Sequence, residues 1–445
     1  MKNTLLKNVR AVNEGKIFET DIRISRGRIE KIASVIPAEP GETIIDGKGK
    51  YLLPGMIDDQ VHFREPGLTH KADLLTESRA AVAGGITSFI DMPNTLPQTV
   101  SAKLLEEKFR IAEGRSYANY SFMLGGTNDN LDELLAFDRS RAAGIKLFLG
   151  SSTGNMLVDD REVLERIFSN VDAIISVHCE DETTIRNNLE KYRMLYGDDI
   201  PMAMHPQIRS EEACYLSSSQ AVALAKKTGA RLHVFHLSTA SEMELFDNRL
   251  PTAQKKITAE VCIHHLLFDD NAYLHKGSLV KWNPAIKGEK HRKALWKALL
   301  DGRIDVIATD HAPHTLEEKT KPYIHCPSGA PMVQHALPVL LDFYQKGQIT
   351  LTQIVQKTAH NPAILFRIKE RGYIREGYHA DLTLVDMNAP WEVKRENILY
   401  KCGWSPLEGL TLSARITHTF VNGVLTYKTG KFTGIPPGRR MEFAG

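Results

Sequence analysis

Residues 55–62, GMIDDQVH, begin a series of short apolar runs that decides the fold of this chain. The first five runs recur at intervals of roughly 25–32 residues, and amphipathic helical stretches separate them, as expected for one βα unit per run. Eight parallel strands with helical crossovers predict an α/β fold, a (β/α)8 TIM-type barrel, which we place at residues 54–374. The eight runs are GMIDDQVH (55–62), GITSFIDMPN (85–94), NYSFMLGG (119–126), GIKLFLG (144–150), AIISVHCE (173–180), RLHVFHLS (231–238), ITAEVCIHH (257–265) and IDVIATDH (304–311).

The two ends of the chain have strand character without helical periodicity. Stretches such as DIRISRG (21–27) and ADLTLVDM (380–387) lie between Gly, Asn and Pro residues, and Asn422-Gly423 between apolar runs is typical of a β-hairpin turn. We therefore predict one small discontinuous β-sandwich domain built from residues 1–53 and 375–445.

Composition narrows the class of protein. The chain has 445 residues, and 42% of them are hydrophobic, which is ordinary for a globular protein. Its net charge is only +2, from 56 Lys and Arg against 54 Asp and Glu. A nearly balanced charge does not indicate binding to nucleic acid or to an anionic membrane. No apolar run approaches the roughly 18–20 residues that span a bilayer. Five scattered cysteines and a charged N-terminal segment predict a cytoplasmic location.

Two helix starts can be predicted from capping patterns. Ser210 before two glutamates predicts the start of a helix that ends before Gly229. Asp159 with Glu162 three residues later resembles a capping box and predicts another start.

Polar side chains gather at the carboxyl ends of the predicted strands, where barrels of this kind hold their functional sites. Imidazole, carboxylate and lysine groups that converge on one mouth indicate a metal site. The residues are Gln60 and His62 (strand 1), Asn94 (after strand 2), Lys146 (strand 4), His178 (strand 5), His236 (strand 6) and Asp310 (strand 8).

Spacing assigns some of these side chains to a face. Gln60 and His62 lie two residues apart and share one face of a strand. His233 and His236 lie three apart, so we expect only His236 to face the barrel interior and His233 to pack against a helix. For the pair His264-His265, a role in the barrel mouth and a role in the core both stay open.

The ordered motifs resemble those of the cyclic amidohydrolases, in the amidohydrolase superfamily, and within them the dihydroorotases. The resemblance covers nearly the whole chain. The motifs are PGMIDDQVHFREPG (54–67), DMPNTLP (91–97), IKLFLG (145–150), SVHCEDE (176–182), HVFHLSTA (233–240), TAEVCIHHLL (258–267), WNPAIK (282–287) and TDHAPH (309–314).

The resemblance implies a metal-dependent hydrolase that reversibly cyclises N-carbamoyl-L-aspartate to L-dihydroorotate in pyrimidine biosynthesis. It implies one or two Zn²⁺ ions per chain, an N6-carboxylated Lys146, and Asp310 acting both as a ligand and as the catalytic acid and base. The implied metal ligands are His62, Lys146, His178, His236 and Asp310, with Gln60 in doubt.

The same resemblance assigns a substrate clamp. Arg64, Asn94 and His314 match positions that would bind the substrate carboxylate, and Asn283 matches a position that contacts the pyrimidine ring. Similar hydantoinases and allantoinases have other residues in place of Arg64 and usually lack a His like His314.

One residue departs from the family pattern. The first motif of the family is normally Asp-x-His-x-His, and here Gln60 stands in place of its first histidine. A glutamine carbonyl is a weaker zinc ligand than imidazole, so the more exposed metal site should be weakened. Two alternatives therefore stay open: a catalytically silent relative that serves as a structural partner of a transcarbamoylase, and a hydantoinase- or allantoinase-type enzyme. A homodimer is also expected from the resemblance.

Overall fold

The computed structural model describes residues 3–150 and 156–444. The chain opens with five strands, of which the first three form an antiparallel meander, while β4 and β5 pair with β1 in parallel. These strands are β1 (Thr4–Asn13), β2 (Lys16–Ser25), β3 (Arg28–Ala33), β4 (Thr43–Asp46) and β5 (Tyr51–Pro54).

The middle of the chain forms an eight-stranded parallel sheet in which neighbours along the chain are neighbours in space. A bridge between Val61 and His311 brings the two edges of this sheet together, so the strands form a nearly closed barrel. The predicted (β/α)8 fold is confirmed. The strands are β6 (Met56–Val61), β7 (Ile86–Asp91), β8 (Asn119–Gly125), β9 (Gly144–Phe148), β10 (Ile174–His178), β11 (Arg231–Val234), β12 (Ile257–Cys262) and β13 (Val306–Ala308).

The C-terminal segment returns to the first sheet. Strand β14 pairs with β5, which joins both chain ends in one nine-stranded sheet, as expected for the small β domain. At the predicted hairpin, Asn422 and Gly423 both have positive φ, 50° and 73°, which a type I′ turn requires. The domain boundaries predicted at residues 54 and 374 stay a proposal. The strands that join this sheet are β14 (Leu382–Asp386), β17 (Arg415–Val421), β18 (Val424–Lys428) and β19 (Lys431–Phe432), while β15 (Trp391–Glu392) and β16 (Thr411–Leu412) pair with each other in a separate two-stranded sheet.

Helices occupy most crossovers between barrel strands, while the described segment between β11 and β12 has 3₁₀ turns at Ser241–Leu245 and Thr252–Gln254. None of the helices in the described residues is long and apolar enough to cross a membrane. The helices are α1 (Leu74–Ala83), α2 (Ala102–Ala112), α3 (Leu131–Leu135), α4 (Arg161–Asn170), α5 (Glu182–Tyr196), α6 (His205–Ile208), α7 (Glu211–Thr228), α8 (Ile263–Leu267), α9 (Ala272–Lys276), α10 (Glu289–Asp301), α11 (Leu316–Lys319), α12 (Ala336–Gln345), α13 (Leu351–Val355) and α14 (Asn361–Leu365).

The two predicted helix starts have different outcomes. Ser210 caps α7 as expected, because its side chain accepts a hydrogen bond from the Ala213 amide, and Gly229 ends the helix with φ 77°. The prediction for Asp159 is wrong by one residue. Asp160 caps α4 by accepting from the amides of Glu162 and Val163, whereas Asp159 accepts from the Asn128 side chain.

A buried polar network joins the barrel to the terminal sheet. Asp381, just before β14, pairs with Arg371, accepts from the side chain of Asn119 on barrel strand β8 at 3.1 Å, and accepts from the Asn422 amide at 2.7 Å. The Asn422 side chain in turn donates from Nδ2 to the side-chain oxygen Oδ1 of Asn119 at 2.7 Å. These hydrogen bonds and the ion pair hold the hairpin turn against the barrel wall.

Candidate metal and substrate site

Two of the predicted ligands meet at the ends of β10 and β11. Nδ1 of His178 lies 3.0 Å from Nε2 of His236, and both rings are buried. Burial lowers the pKa of both histidines. At His178 it outweighs the opposing effect of Glu180, and at His236 the nearby His178 and Lys146 lower the pKa further, so both rings are neutral at pH 7. Neutral imidazole is the form that binds a metal.

A buried carboxylate orients the first of these histidines. Oε2 of Glu180 lies 2.9 Å from Nε2 of His178, which favours the tautomer whose Nδ1 lone pair faces His236. Glu180 is held in turn by three contacts of 2.7–3.1 Å from the Arg209 guanidinium. Burial acts to raise the pKa of Glu180, but Arg209 and His178 outweigh it and lower that pKa to about 2.

The sequence prediction missed both of these supporting residues. Glu180 could have been suspected, because it follows His178 by two residues and metal-bound histidines usually donate their other ring nitrogen to a carboxylate. Arg209 lies between α6 and α7, and no sequence pattern around it indicates a contact with Glu180.

Lys146 projects from β9 into an apolar surrounding. Its Nζ lies 4.9 Å from the centre of the Phe148 ring and 4.1 Å from that of Phe235, and within the described part of the chain it has no hydrogen-bond partner. Burial lowers its pKa to about 7, against the opposing effect of the Glu260 and Asp310 carboxylates. A lysine held this way is a partly neutral amine at physiological pH.

His62 and Asp310 meet where β6 and β13 end. Nε2 of His62 lies 3.1 Å from Oδ1 of Asp310, and its Nδ1 lies 2.8 Å from Oδ1 of Asn94. Asn94 therefore lies at the barrel mouth and also contacts the candidate metal ligand His62. Asp310 and His236 both have positive φ, 44° and 38°, a strained conformation for residues other than glycine that is common at functional sites.

Gln60 is buried beside the same cluster. Its Oε1 lies 3.7 Å from Sγ of Cys262 on β12. The register of β6 against β7 is irregular between Asp58 and Val61, which changes the simple alternation of side chains expected of this strand.

A cationic group lies at the mouth next to His62. The buried Arg64 guanidinium donates from Nε to the Pro313 carbonyl at 3.0 Å, and its Nη2 lies 3.1 Å from Nε2 of His314. Lys71, which the sequence prediction missed, lies 3.1 Å from Nδ1 of His314 and pairs with Glu318 at 2.8 Å. Burial lowers the pKa of Arg64 to about 10, so the guanidinium stays charged.

The pair His264-His265 is buried behind the loop that carries Asn283. The His264 ring stacks on Trp282 at 4.1 Å, and Nε2 of His265 lies 3.1 Å from the Pro284 carbonyl oxygen. Both contacts are to the immediate chain neighbours of Asn283, a half-buried residue, so the pair supports the position of this loop.

The prediction for His233 is wrong. Its Nε2 lies 3.2 Å from Oδ2 of Asp59 on β6 and 3.8 Å from Oε2 of Glu260 on β12. Strand β6 lies on the far side of the barrel from β11, so His233 points into the barrel instead of packing against a helix. The alternation argument failed because β11 ends at Val234 and the backbone turns before His236.

The comparisons with known proteins agree with this architecture. Residues 51–426 match the family model described as "Amidohydrolase family". Members of that family are generally metal-dependent. The dihydroorotase of Halobacterium salinarum is 35% identical over 393 residues, 87% of this chain and 89% of the relative. That of Thermococcus kodakarensis is 33% identical over 444 residues, 99% of this chain and 98% of the relative.

A solved structure is similar over the whole chain. The L-hydantoinase (dihydropyrimidinase) of Arthrobacter aurescens superposes with a TM-score of 0.94 at 26% identity, covering 99% of this chain and 100% of the other. The match to the family model and the identity to the two relatives lead to one conclusion: the chain belongs to the amidohydrolase family and, within it, to the family of the dihydroorotases.

Proposed function

We propose that this chain is a dihydroorotase that reversibly cyclises N-carbamoyl-L-aspartate to L-dihydroorotate in pyrimidine biosynthesis. The observation that carries the proposal is the Arg64 guanidinium, held against His314 at the barrel mouth, directly beside His62 and Asp310. A substrate with a free carboxylate needs such a group, and the names of the relatives point to the same substrate.

The donor set fits a divalent metal such as Zn²⁺. His178 and His236 are neutral and adjacent, Glu180 orients the first of them, and Lys146 is buried with no partner among the described residues. His62, Lys146, His178, His236 and Asp310 would hold one or two ions, and Gln60 would bind more weakly. When bound, the metal polarises the amide carbonyl and lowers the pKa of a water molecule.

The surroundings of Lys146 support its carboxylation. Only an unprotonated amine attacks CO₂, and a pKa of about 7 leaves much of Lys146 in that form. A C–N bond forms to the carbon of CO₂ as one of its C=O π bonds opens, and the nitrogen loses one proton to solvent, which yields an anionic carbamate. This converts a group that repels cations into one with two oxygen ligands.

Asp310 would act as the general base and general acid of the reaction. Its carboxylate lies at the strand end next to His62, where it can accept a proton from the attacking water and pass it to the ring nitrogen that leaves. In the cyclisation direction the same carboxylate acts in the reverse order.

Arg64 would orient the substrate. Its described contacts involve Nε and Nη2, two of the three guanidinium nitrogens, and the flat fork can bind a carboxylate through two parallel hydrogen bonds. Asn94 and His314 would add donors on either side, and Asn283 would contact the ring.

The similarity to a hydantoinase structure supports a second candidate activity. That similarity rests on the fold, whereas Arg64 and His314 favour a substrate that carries a carboxylate. The homodimer, the transcarbamoylase partner and the cytoplasmic location stay predictions.

The decisive substrate pair is L-dihydroorotate and 5,6-dihydrouracil, which is the same ring without the carboxylate. The wild-type protein should prefer dihydroorotate by about 30- to 150-fold in kcat/KM, since a charge-assisted bidentate contact supplies roughly 2–3 kcal/mol. Arg64→Ala should remove most of this preference by slowing dihydroorotate and changing dihydrouracil little.

The control is Arg110→Ala, which changes an exposed arginine on α2 and should alter neither rate. Equal turnover of the two substrates by the wild-type protein would contradict the proposal. So would an Arg64→Ala variant that is impaired equally on both.

A further inference from the structure

A second cluster of ionisable groups lies inside the barrel, below the site described above. It consists of Asp59 on β6, His233 on β11 and Glu260 on β12, and all three side chains are fully buried. One potential ligand atom from each lies within 4.8 Å of the others. The three residues come from three strands, so the barrel itself holds them together.

The hydroxyl group of Thr258 determines which nitrogen of the His233 ring carries the proton in the neutral form. Oγ1 of Thr258 lies 2.8 Å from Nδ1 of His233 and 3.2 Å from the Leu232 carbonyl oxygen. The single hydroxyl proton goes to the carbonyl, which can only accept. The hydroxyl oxygen therefore accepts from Nδ1–H, and in the neutral ring the lone pair is on Nε2, facing the two carboxylates.

The carboxylate oxygens lack other donors. Apart from the ion pair with His233, neither oxygen of Asp59 accepts a hydrogen bond from any residue that the structure describes, and the same holds for Oε2 of Glu260. Buried carboxylates without donors are costly, because burial removes the water that would stabilise their charge. An additional positive charge is needed between them.

Two species could supply that charge, and they exclude each other because both occupy Nε2 of His233. One is a proton. Burial acts to lower the pKa of His233, but Asp59 and Glu260 outweigh it and raise that pKa to about 9. With both carboxylates ionised, an imidazolium still leaves a net charge of −1 on the three residues. Burial and the Asp59 carboxylate raise the pKa of Glu260 to about 7, so without a metal ion the cluster must take up a further proton to become neutral. A divalent cation with a neutral ring brings their net charge to zero.

We propose that Asp59, His233 and Glu260 form a cation site for Zn²⁺, separate from the one at the barrel mouth. Two carboxylate oxygens and one imidazole nitrogen are a donor set that zinc accepts, with a fourth position left for water. At bond lengths of about 2.0–2.2 Å, ligand atoms lie up to roughly 4 Å apart, so small side-chain shifts close the present spacing.

A cation bound here would link strands β6, β11 and β12 in the interior of the barrel. It would also support the mouth, because Oε1 of Glu260 accepts a hydrogen bond from the backbone amide of His236 at 2.9 Å. The site thus acts on the proposed catalytic centre by holding the backbone that positions His236. It does not itself contact substrate.

The test is anomalous diffraction from crystals of the full chain grown with excess Zn²⁺, with data collected on both sides of the zinc absorption edge. We expect a peak within bonding distance of Asp59, His233 and Glu260, distinct from any peak between His178 and His236. In Asp59→Asn this peak should disappear, and metal analysis in solution should show a loss of about one equivalent.

The matched control is Asp58→Asn, the same change at the neighbouring residue, whose carboxylate instead contacts Thr309 at 2.6 Å. It should keep the peak. A zinc-saturated wild-type crystal without a peak at the three residues would overturn the proposal and leave the imidazolium as the occupant; this measurement needs no variant to fold. Dihydroorotate turnover is read separately, so either proposal can fail while the other stands.

Discussion

Gln60 is the residue at which this chain departs most clearly from its family. Its side-chain carbonyl oxygen lies 3.7 Å from Sγ of Cys262. A neutral oxygen in place of an imidazole should weaken the more exposed metal and leave the inner one, because the inner ligands Lys146, His178 and His236 are all present.

Gln60→His should therefore raise the affinity for the more exposed metal by about tenfold or more. The measurement is a zinc titration of apo-protein in which bound metal and activity are followed together. It should be done in the Asp59→Asn background, so that the interior site does not contribute to the count. If activity saturates at one equivalent and Gln60→His lowers it, the enzyme works with one metal and Gln60 has a role of its own.

Lys146 gives a second prediction at this scale. Lys146→Ala should lose at least about 100-fold in activity and bind metal more weakly, because the ligand is gone. Small carboxylic acids such as acetate should restore part of the activity by filling the space with a carboxylate, and should not stimulate the wild-type protein. An unmodified Lys146 in the native mass of an active, metal-loaded sample would contradict the carboxylation.

At the scale of elements, strand ends place the site residues. The described strands β11 and β13 stop short of His236 and Asp310, and the positive φ at both residues turns their side chains toward the mouth. Such strained backbone persists only where the surroundings hold it, here the Glu260 carboxylate that accepts from the His236 amide.

Helix α7 is fixed by its cap. Ser210→Ala removes the side-chain acceptor for the Ala213 amide and should lower the free energy of unfolding by about 1 kcal/mol, measured by urea denaturation. Ser219→Ala, within the same helix, is the control. Its hydroxyl only donates back to the Leu216 carbonyl, so its loss should be close to neutral. Equal losses from both variants would contradict the capping role.

At the scale of the whole molecule, stability depends on how the two ends of the chain attach to the barrel. Asp381→Ala leaves Arg371 buried without its partner and removes acceptors for Asn119 and Asn422, so it should destabilise the protein by about 3–5 kcal/mol. Thermal unfolding followed by circular dichroism checks this.

The control for that variant is Asp386→Ala, at the other end of β14. Asp386 pairs with Lys50 at 3.3 Å where both side chains are partly exposed, and such pairs contribute at most about 1 kcal/mol. A small effect of Asp381→Ala, similar to that of Asp386→Ala, would show that the network does not join the two parts.

The sequence by itself determined the barrel, because eight apolar runs at a regular spacing admit few other arrangements. It also determined the joining of the two chain ends in one sheet, through period-two alternation and an Asn-Gly turn. Candidate ligands could be predicted because the carboxyl ends of parallel strands meet at one edge, so position along each strand was enough to select His62, Lys146, His178, His236 and Asp310.

Only the tertiary structure decided which residues support the candidate ligands. Arg209 reaches Glu180 from a distant loop, and Lys71 reaches His314, through contacts that no local pattern records. His233 faces Asp59 and Glu260 because β6 lies across the barrel from β11, and strand periodicity carries no information about what lies opposite. Periodicity follows from the backbone of each element, whereas contacts across the barrel depend on its closure.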